Sequence, residues 1–287
     1  MITIIIPSLN SPLIDRVLAA IWQQPEADRE VAEVLVVGKD EAGLLPAHPR
    51  ARLLDTGRPV PPGTARNLGI AAAQSDWLLF LDSDCLPQPG WLAGHLAAHA
   101  AGHAVVGGGV LPTGNGYWHL TYNLTLFHEF FSTSPPGPRP YLPTLNLSVA
   151  REVIEYAGML DDNLRRGQDV EWTTRMRQAG FSPYFWPAAA VRHEHNRQTF
   201  AAVWRDCARS GFFMRQVRLQ HPDWLAAPGL LRHRRLVLLL SPAIALWASL
   251  GIWRRQPLTW RKYGRTMPAL YLTKIAWCYG ASRATEP

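Results

Sequence analysis

Three features of the 287-residue chain predict an α/β fold, a mostly parallel sheet flanked by helices. Short apolar runs at Thr3 to Pro7, Val31 to Val37 and Trp77 to Leu81 are bounded by turn residues, the pattern of strands buried on both faces. Stretches of helical periodicity lie between them, and that alternation implies βαβ units. The third feature is Asp82-Ser83-Asp84, set where the run Trp77-Leu78-Leu79-Phe80-Leu81 stops. Open α/β sheets place their ligands at that end of a strand.

The elements follow in order. Met1 to Pro7 lacks the basic leader and cleavage site of a signal peptide and reads as the first strand. Ser8-Leu9-Asn10-Ser11 is a polar turn rich in helix-capping residues, and Leu13, Val17, Leu18 and Ile21 give a helix that stops before Pro25. Val31 to Val37 is a second strand and Arg52-Leu53-Leu54 a short third; Thr64 to Ala73 is a helix leading into the strand that ends at Asp82. Trp91 to Ala101 reads as a helix, and Val105 to Val110 resumes the sheet with glycines that permit close backbone approach. Gly116 to Phe131 is an aromatic-rich helix, followed by a Pro135-Pro136-Gly137-Pro138 loop. Arg151 to Ala157 and Asp169 to Ala179 are helices, and Phe181 to Val191 carries a late strand.

A formal charge of +7 and a pI near 9.7 point to acidic partners such as nucleotide phosphates, anionic lipid or nucleic acid. Arginine and tryptophan are dense from Arg192 to Arg265. Cys85, Cys207 and Cys278 form no paired or metal-type spacing, which reads as a reducing compartment. Leu236 to Trp253 contains no charge and is bracketed by Arg232, Arg234, Arg235, Arg254 and Arg255. Its length is at the lower edge of what spans a bilayer and Pro242 interrupts it, so it fits an interfacial or re-entrant segment. Met267 to Tyr279 is a second apolar stretch with Lys274 inside it. A buried core helix pair is the competing reading of both.

The chemistry-bearing groups fall in three places. In extended backbone Asp82 and Asp84 point the same way, and two such carboxylates are costly to hold together without a cation between them. Oxygen ligands suit Mg²⁺ or Mn²⁺, either of which carries a diphosphate with it; a solvated turn after a core strand has the same pattern. Asp169 and Glu171 lie in the first turn of a helix ending at Gly180. Acids there are ordinary helix-dipole partners, or a carboxylate at a cleft mouth that takes a proton from a hydroxyl. His193 ends the late strand, where a lone histidine is more often structural.

Together these stretches resemble the family-two glycosyltransferases of the GT-A fold, over about residues 1 to 200. The landmarks are Ile5-Ile6-Pro7-Ser8-Leu9-Asn10; Ala65-Arg66-Asn67-Leu68-Gly69-Ile70 followed by Phe80-Leu81-Asp82-Ser83-Asp84; Asn146-Leu147-Ser148-Val149-Ala150-Arg151 through Gly158 and Asp161 to Gln168-Asp169; and His193. The order is specific, whereas no single motif is. The resemblance implies donor contacts from Pro7, Ser8, Asn10, Asp40 and Arg66, and from Asp82, Ser83 and Asp84. It implies a Mn²⁺ or Mg²⁺ site at Asp82, Asp84 and His193, Asp169 as catalytic base, and an acceptor side at Asn146, Gln168 and Glu171. Two departures stand out: the usual glutamate before the base is Gln168, and the second strand ends in Gly38-Lys39-Asp40 where an aspartate normally holds the nucleobase. Asp40 is the carboxylate available from a shifted position.

The implied activity is inverting, metal-assisted transfer of a sugar from a UDP-, GDP- or dTDP-linked donor to a lipid-linked or glycan acceptor, in polysaccharide, glycolipid or cell-envelope glycan synthesis. The implied organisation is a GT-A catalytic domain over 1–200 and a hydrophobic, basic helical extension over 201–287. That extension would hold the protein on the cytoplasmic face of the membrane, peripherally or as an anchor. The proline-rich Ser134 to Pro143 is a mobile loop over the acceptor or a plain surface loop. The alternative is a catalytically inactive membrane-surface binding module on the same scaffold, against which Asp82, Asp84 and Asp169 argue. A nucleotidyltransferase would share the paired carboxylates but give no reason for the Asp169 block. Nucleic acid is disfavoured, because the arginines adjoin apolar stretches and form no recognition module.

Overall fold

The structure, a computed structural model, describes residues 1–114, 116–256 and 263–284. The chain forms two compact units, Met1–Leu111 with Pro135–Glu194, and Pro112–Ser134 with His195–Pro287. The second unit thus takes up residues 112–134, well ahead of the boundary expected at residue 200.

The first unit holds one sheet of nine strands among the described residues, in the order β3-β2-β1-β4-β8-β6-β9-β5, with β7 also on β9. These are β1 Ile2–Leu9, β2 Val31–Lys39, β3 Ala51–Asp55, β4 Trp77–Leu81, β5 Cys85–Pro87, β6 Val105–Val110, β7 Gly137–Pro138, β8 Asn146–Ala150 and β9 Tyr184–His193. Branched and aromatic side chains that suit a pleated surface fill β1, β2 and β4, and their central residues are wholly enclosed. Parallel pairing runs through β3, β2, β1 and β4, and β6 is parallel to β9. β8 runs antiparallel to both β4 and β6. After β1 the chain builds β2 and β3 on one side and returns to lay β4 on the other, so the strand order reverses between β1 and β4. That reversal opens a crevice at the carboxyl ends of the strands, where ligands of open α/β sheets bind.

Helices α1 Ile14–Trp22, α2 Ala27–Glu30, α3 Pro62–Ala72, α4 Trp91–Ala100, α6 Arg151–Ala157 and α7 Gln168–Gln178 belong to this unit. The expected elements are all present, with shifts of one to a few residues at their ends. Three strands appear where none is expected: β5, β7 and β8. The proline-rich segment is no loop throughout, because Gly137–Pro138 pairs with β9 and Arg139 holds it there. The guanidinium lies 4.9 Å from the Phe185 ring and donates to the Pro135 carbonyl at 2.7 Å.

The second unit is helical: α5 Tyr117–Phe127 with a 3₁₀ turn at His128–Phe130, α8 Phe200–Gln220, α9 Arg234–Leu239, α10 Ser241–Arg255 and α11 Met267–Arg283. α8, capped at its start by the Thr199 hydroxyl, packs along α11. The crossing is close because glycines face backbone: a methyl group on Gly211 would lie 1.9 Å from the Trp277 carbonyl oxygen, and one on Gly280 1.8 Å from that of Ala208. Cys207 and Ala276 are enclosed beside it, with Leu231, Val237, Cys278 and Ala281 forming a second cluster. The fully buried Arg215 donates to the carbonyls of Leu231, Ala284 and Arg232. Met267 to Tyr279 is therefore the core helix of this unit, and Lys274 donates to the Thr125 carbonyl at 3.0 Å. No helix among the described residues is long and apolar enough to cross a membrane. Residues 257–262 of the basic stretch Arg254 to Arg265 lie outside the described residues.

Candidate active site at the carboxyl end of β4

All the site residues read from the sequence belong to the first unit. Asp82 leaves β4 with its amide donating to Leu145, and Cys85 N–H returns to the Asp82 carbonyl at 2.9 Å. Asp82-Ser83-Asp84 is thus a tight turn, and the extended geometry expected of it is corrected. The backbone reverses here because β5 starts at once, antiparallel to β9 with Cys85 opposite His193. The two carboxylates consequently take different partners. Asp82 Oδ1 accepts from Arg66 Nη2 at 2.5 Å, and the arginine is almost completely buried. Asp84 Oδ2 lies 3.6 Å from His193 Nε2. The Ser11 hydroxyl donates to the Ser83 carbonyl and holds the turn against the end of β1.

Asp84, Cys85 and His193 bring potential ligand atoms within 4.8 Å of one another. Of the three, Cys85 is fully enclosed, and burial with the Asp84 and Asp82 charges pushes its thiol well up. The remaining donors are a carboxylate and an imidazole, a set compatible with Mn²⁺. His193 owes its place to β5, an element the sequence pattern did not show.

Asp169 opens α7 and accepts from Val170 N–H at 2.9 Å. Burial raises its carboxyl above the ordinary value. The Val170 hydrogen bond and the Arg66 charge pull it back, and the Asp82 charge pushes it up again. Arg66 therefore sits within electrostatic reach of both Asp82 and Asp169. The neighbouring Asn67 donates to Leu160 C=O and accepts from Leu160 N–H, and Thr64 donates to Asp162. α3 in this way fixes the loop that leads into α7.

Other expected site residues are used structurally. Asn146, 1% exposed, receives Trp91 Nε1–H at 2.8 Å, meets His95 Nε2 at 2.9 Å and donates to the Ala189 and Gly109 carbonyls. It is enclosed in the sheet. A methyl group on Gly108 would lie 2.2 Å from the Asn146 amide, which is why β6 carries glycine there. Gln168 donates to the Leu164 carbonyl and packs on Gly63. Glu171 takes two hydrogen bonds from Arg175, which also donates to Ala157 and Met159 carbonyls, so the pair ties α6 to α7. Asp40 accepts from Leu44 and Leu45 N–H groups, capping its own turn.

At the ends of β1 and β2, Asn10 stands at φ 52° and bonds Glu41 through both side-chain atoms. Pro7 and Ser8 pair with Val37 and Gly38. A methyl group on Gly38 would lie 1.9 Å from the Ser8 carbonyl oxygen, at φ +141°, so an aspartate cannot occupy that position. The carboxylate beside this strand end is instead Asp55 of β3, 3.3 Å from Lys39 Nζ and missed in the sequence. The Gly57 amide and Lys39 hold its carboxyl below the usual range.

The comparisons with known proteins agree with this geometry. The profile of the family described as Glycosyl transferase family 2 matches residues 3–155, more than half of the chain. A pre-mycofactocin glycosyltransferase of Mycobacterium tuberculosis is 30% identical over 175 residues, 56% of this chain and 36% of that protein. This chain thus spans about a third of the length of that relative. Glycosyltransferase AglE of Haloferax volcanii is 29% identical over 222 residues, 75% of this chain and 68% of that protein. Among solved structures, a mannosyltransferase from Pyrobaculum calidifontis in complex with GDP-Man and Mn²⁺ aligns with TM-score 0.59 at 17% identity, covering 94% of this chain and 85% of that one. With its sheet reversal, its paired carboxylates after β4 and this match, the chain belongs to glycosyl transferase family 2, on the GT-A fold.

Proposed function

We propose that this protein transfers a sugar from a nucleoside-diphosphate donor to an acceptor hydroxyl, with inversion at the anomeric carbon. The observation that carries the reading is the convergence of the Arg66–Asp82 ion pair and the 3.6 Å Asp84–His193 contact at the strand-order reversal, with Asp169 in electrostatic reach of the first. Asp84 and His193 are the groups that would hold a divalent cation, and Asp82 is turned away to Arg66. A bound cation supplies charge neutralisation for the departing diphosphate. Arg66 adds a fixed positive charge beside the same place, oriented by Asp82 before any substrate arrives. Ser8, Asn10 and the Ser83 turn line the strand ends on the donor side. Asp169, raised by burial, is the group that takes the acceptor proton while the hydroxyl attacks from the face opposite the leaving group. The acceptor class is a lipid-linked or glycan hydroxyl, in polysaccharide, glycolipid or cell-envelope glycan synthesis.

The test pairs two variants and two readouts. Asp169→Asn keeps donor affinity in calorimetry and lowers turnover with a saturating acceptor by about 10²–10⁴-fold. Asp84→Asn loses the Mn²⁺-dependent part of donor binding while the fold, read by circular dichroism, is unchanged. Near-normal turnover in Asp169→Asn would move the base elsewhere. Wild-type protein that binds donor with Mn²⁺ but turns over neither acceptor nor water would favour the inactive binding module.

A further inference from the structure

α9 and α10 bury Val237, Ile252 and Trp253, but much of their apolar surface faces outward. Ser241, Ala245 and Ser249 face inward, whereas Leu238, Leu239, Leu246, Trp247 and Leu250 are exposed. Trp247 is 78% exposed and Leu239 73%. An ordinary surface helix does the opposite, keeping its apolar stripe on the core. Contiguous exposed apolar patches on this scale mark interaction sites. The packing of this unit explains the inner face, since small side chains let α10 approach α11, but it leaves Leu239 and Trp247 largely exposed and Leu238, Leu246 and Leu250 about half exposed.

The charge around the patch says what covers it. Exposed Arg232, Arg234 and Arg235 precede it, and Arg254 and Arg255 follow, the last reaching Glu129 at 3.1 Å. Residues 224–285 contain ten arginines and lysines and no aspartate or glutamate. An apolar face with cations at both ends and no acid along it matches an anionic lipid surface, whose phosphates meet the guanidiniums while acyl chains meet the leucines. The 15 residues of α10 give a helix about 22 Å long, too short for a hydrocarbon core of about 30 Å. A helix of this length lies on a membrane instead of crossing it.

We propose that the outer face of α9 and α10 docks in the headgroup–acyl boundary of an anionic phospholipid membrane, with Leu239 and Trp247 inserted and Arg232, Arg234, Arg235 and Arg254 on lipid phosphates. Met267 to Tyr279 takes no part, being core. The proposal is independent of the transfer reaction, and its test uses no sugar donor.

Full-length protein is sedimented with phosphatidylcholine vesicles, with and without phosphatidylglycerol, at low and high salt. It pellets with the anionic vesicles at low salt, and salt weakens the binding. Arg234→Gln with Arg235→Gln weakens partitioning about fivefold per arginine, and Trp247→Glu weakens it roughly tenfold or more. Brominated acyl chains quench tryptophan emission in the wild type and quench it less in Trp247→Phe, a change that keeps an apolar aromatic side chain while removing the indole. Protein that stays in the supernatant with anionic vesicles at low salt overturns the proposal. So does equal binding to neutral and anionic vesicles, or wild-type quenching in Trp247→Phe. Concentration-dependent self-association without lipid, abolished by Trp247→Glu and accompanied by no vesicle binding, would assign the face to a second copy of the chain instead.

Discussion

β4 and α10 carry much the same apolar side chains and place them in opposite ways. In β4, Leu78, Leu79, Phe80 and Leu81 are wholly enclosed, and polarity resumes with Asp82, the first residue past the strand. In α10, Ser241, Ala245 and Ser249 are inside, joined by Ile252 and Trp253 at the end of the helix, while Leu246, Trp247 and Leu250 are outside. Hydrophobic burial within the chain accounts for β4 completely, and for Ile252 and Trp253 of α10 but not for Leu246, Trp247 and Leu250. The two regions thus differ in kind: one is a strand that ends in charge, the other a helix that leaves large apolar side chains exposed.

The comparison breaks most easily at β4. Leu79→Ser is expected to cost about 4 kcal/mol, from the lost leucine contacts and a hydroxyl placed among apolar neighbours. Denaturant unfolding of the full chain measures it, and a loss under about 1 kcal/mol, the ordinary range for surface changes and mild substitutions, would show that β4 is not the centre of the first unit.

A smaller effect lies in the same unit. His95 and His99 meet Ser148 at 2.9 and 2.7 Å. Burial lowers His95 to about 4 and His99 to about 3. Both folded values lie below the ordinary imidazole value of about 6.5. Between about pH 6.5 and 4 the unfolded chain therefore binds protons that the folded one does not, and stability falls as the pH falls through that window. His95 alone accounts for up to about 3 kcal/mol at pH 4. Imidazole chemical shifts followed by NMR should stay at neutral-ring values well below pH 6. Titration of His95 near 6.5 would show an opened pocket.

These histidines also show why part of the molecule escapes a sequence reading. β1, β2 and β4 are legible because unbroken apolar runs meet turn residues. β8 is not, since Asn146 and Ser148 look like surface residues, yet they lie on an inner strand between β4 and β6 and meet Trp91, His95 and His99 of α4. The same holds for β5, three residues long, which exists through its pairing with β9. α8 is masked by its arginines and by Gly211, whose role depends on a helix distant in sequence. At the site, Asp82, Asp84, Arg66 and Asp169 are legible as chemistry, but their partners are not. Which carboxylate meets Arg66 and which meets His193 is decided by the turn at residues 82–84 and by the β5–β9 register.

The smallest expected effect bears on the contrast between β4 and the outward apolar face of α9 and α10. Leu239→Ser, made in the full chain and measured without lipid, should change stability by no more than about 0.5 kcal/mol, as an exposed substitution does. The side chain is 73% exposed, so serine loses little contact, and its hydroxyl stays in water where no desolvation is charged against it. Leucine is a better helix former than serine, which sets the sign of the residual loss. The measurement is denaturant unfolding in parallel with Leu79→Ser, so that one substitution is read in two settings. A loss above about 1 kcal/mol would mean that Leu239 is packed in solution, and the outward face would then be an interior surface of this chain. A loss within the surface range leaves Leu239 without an internal role, as the proposed docking face requires.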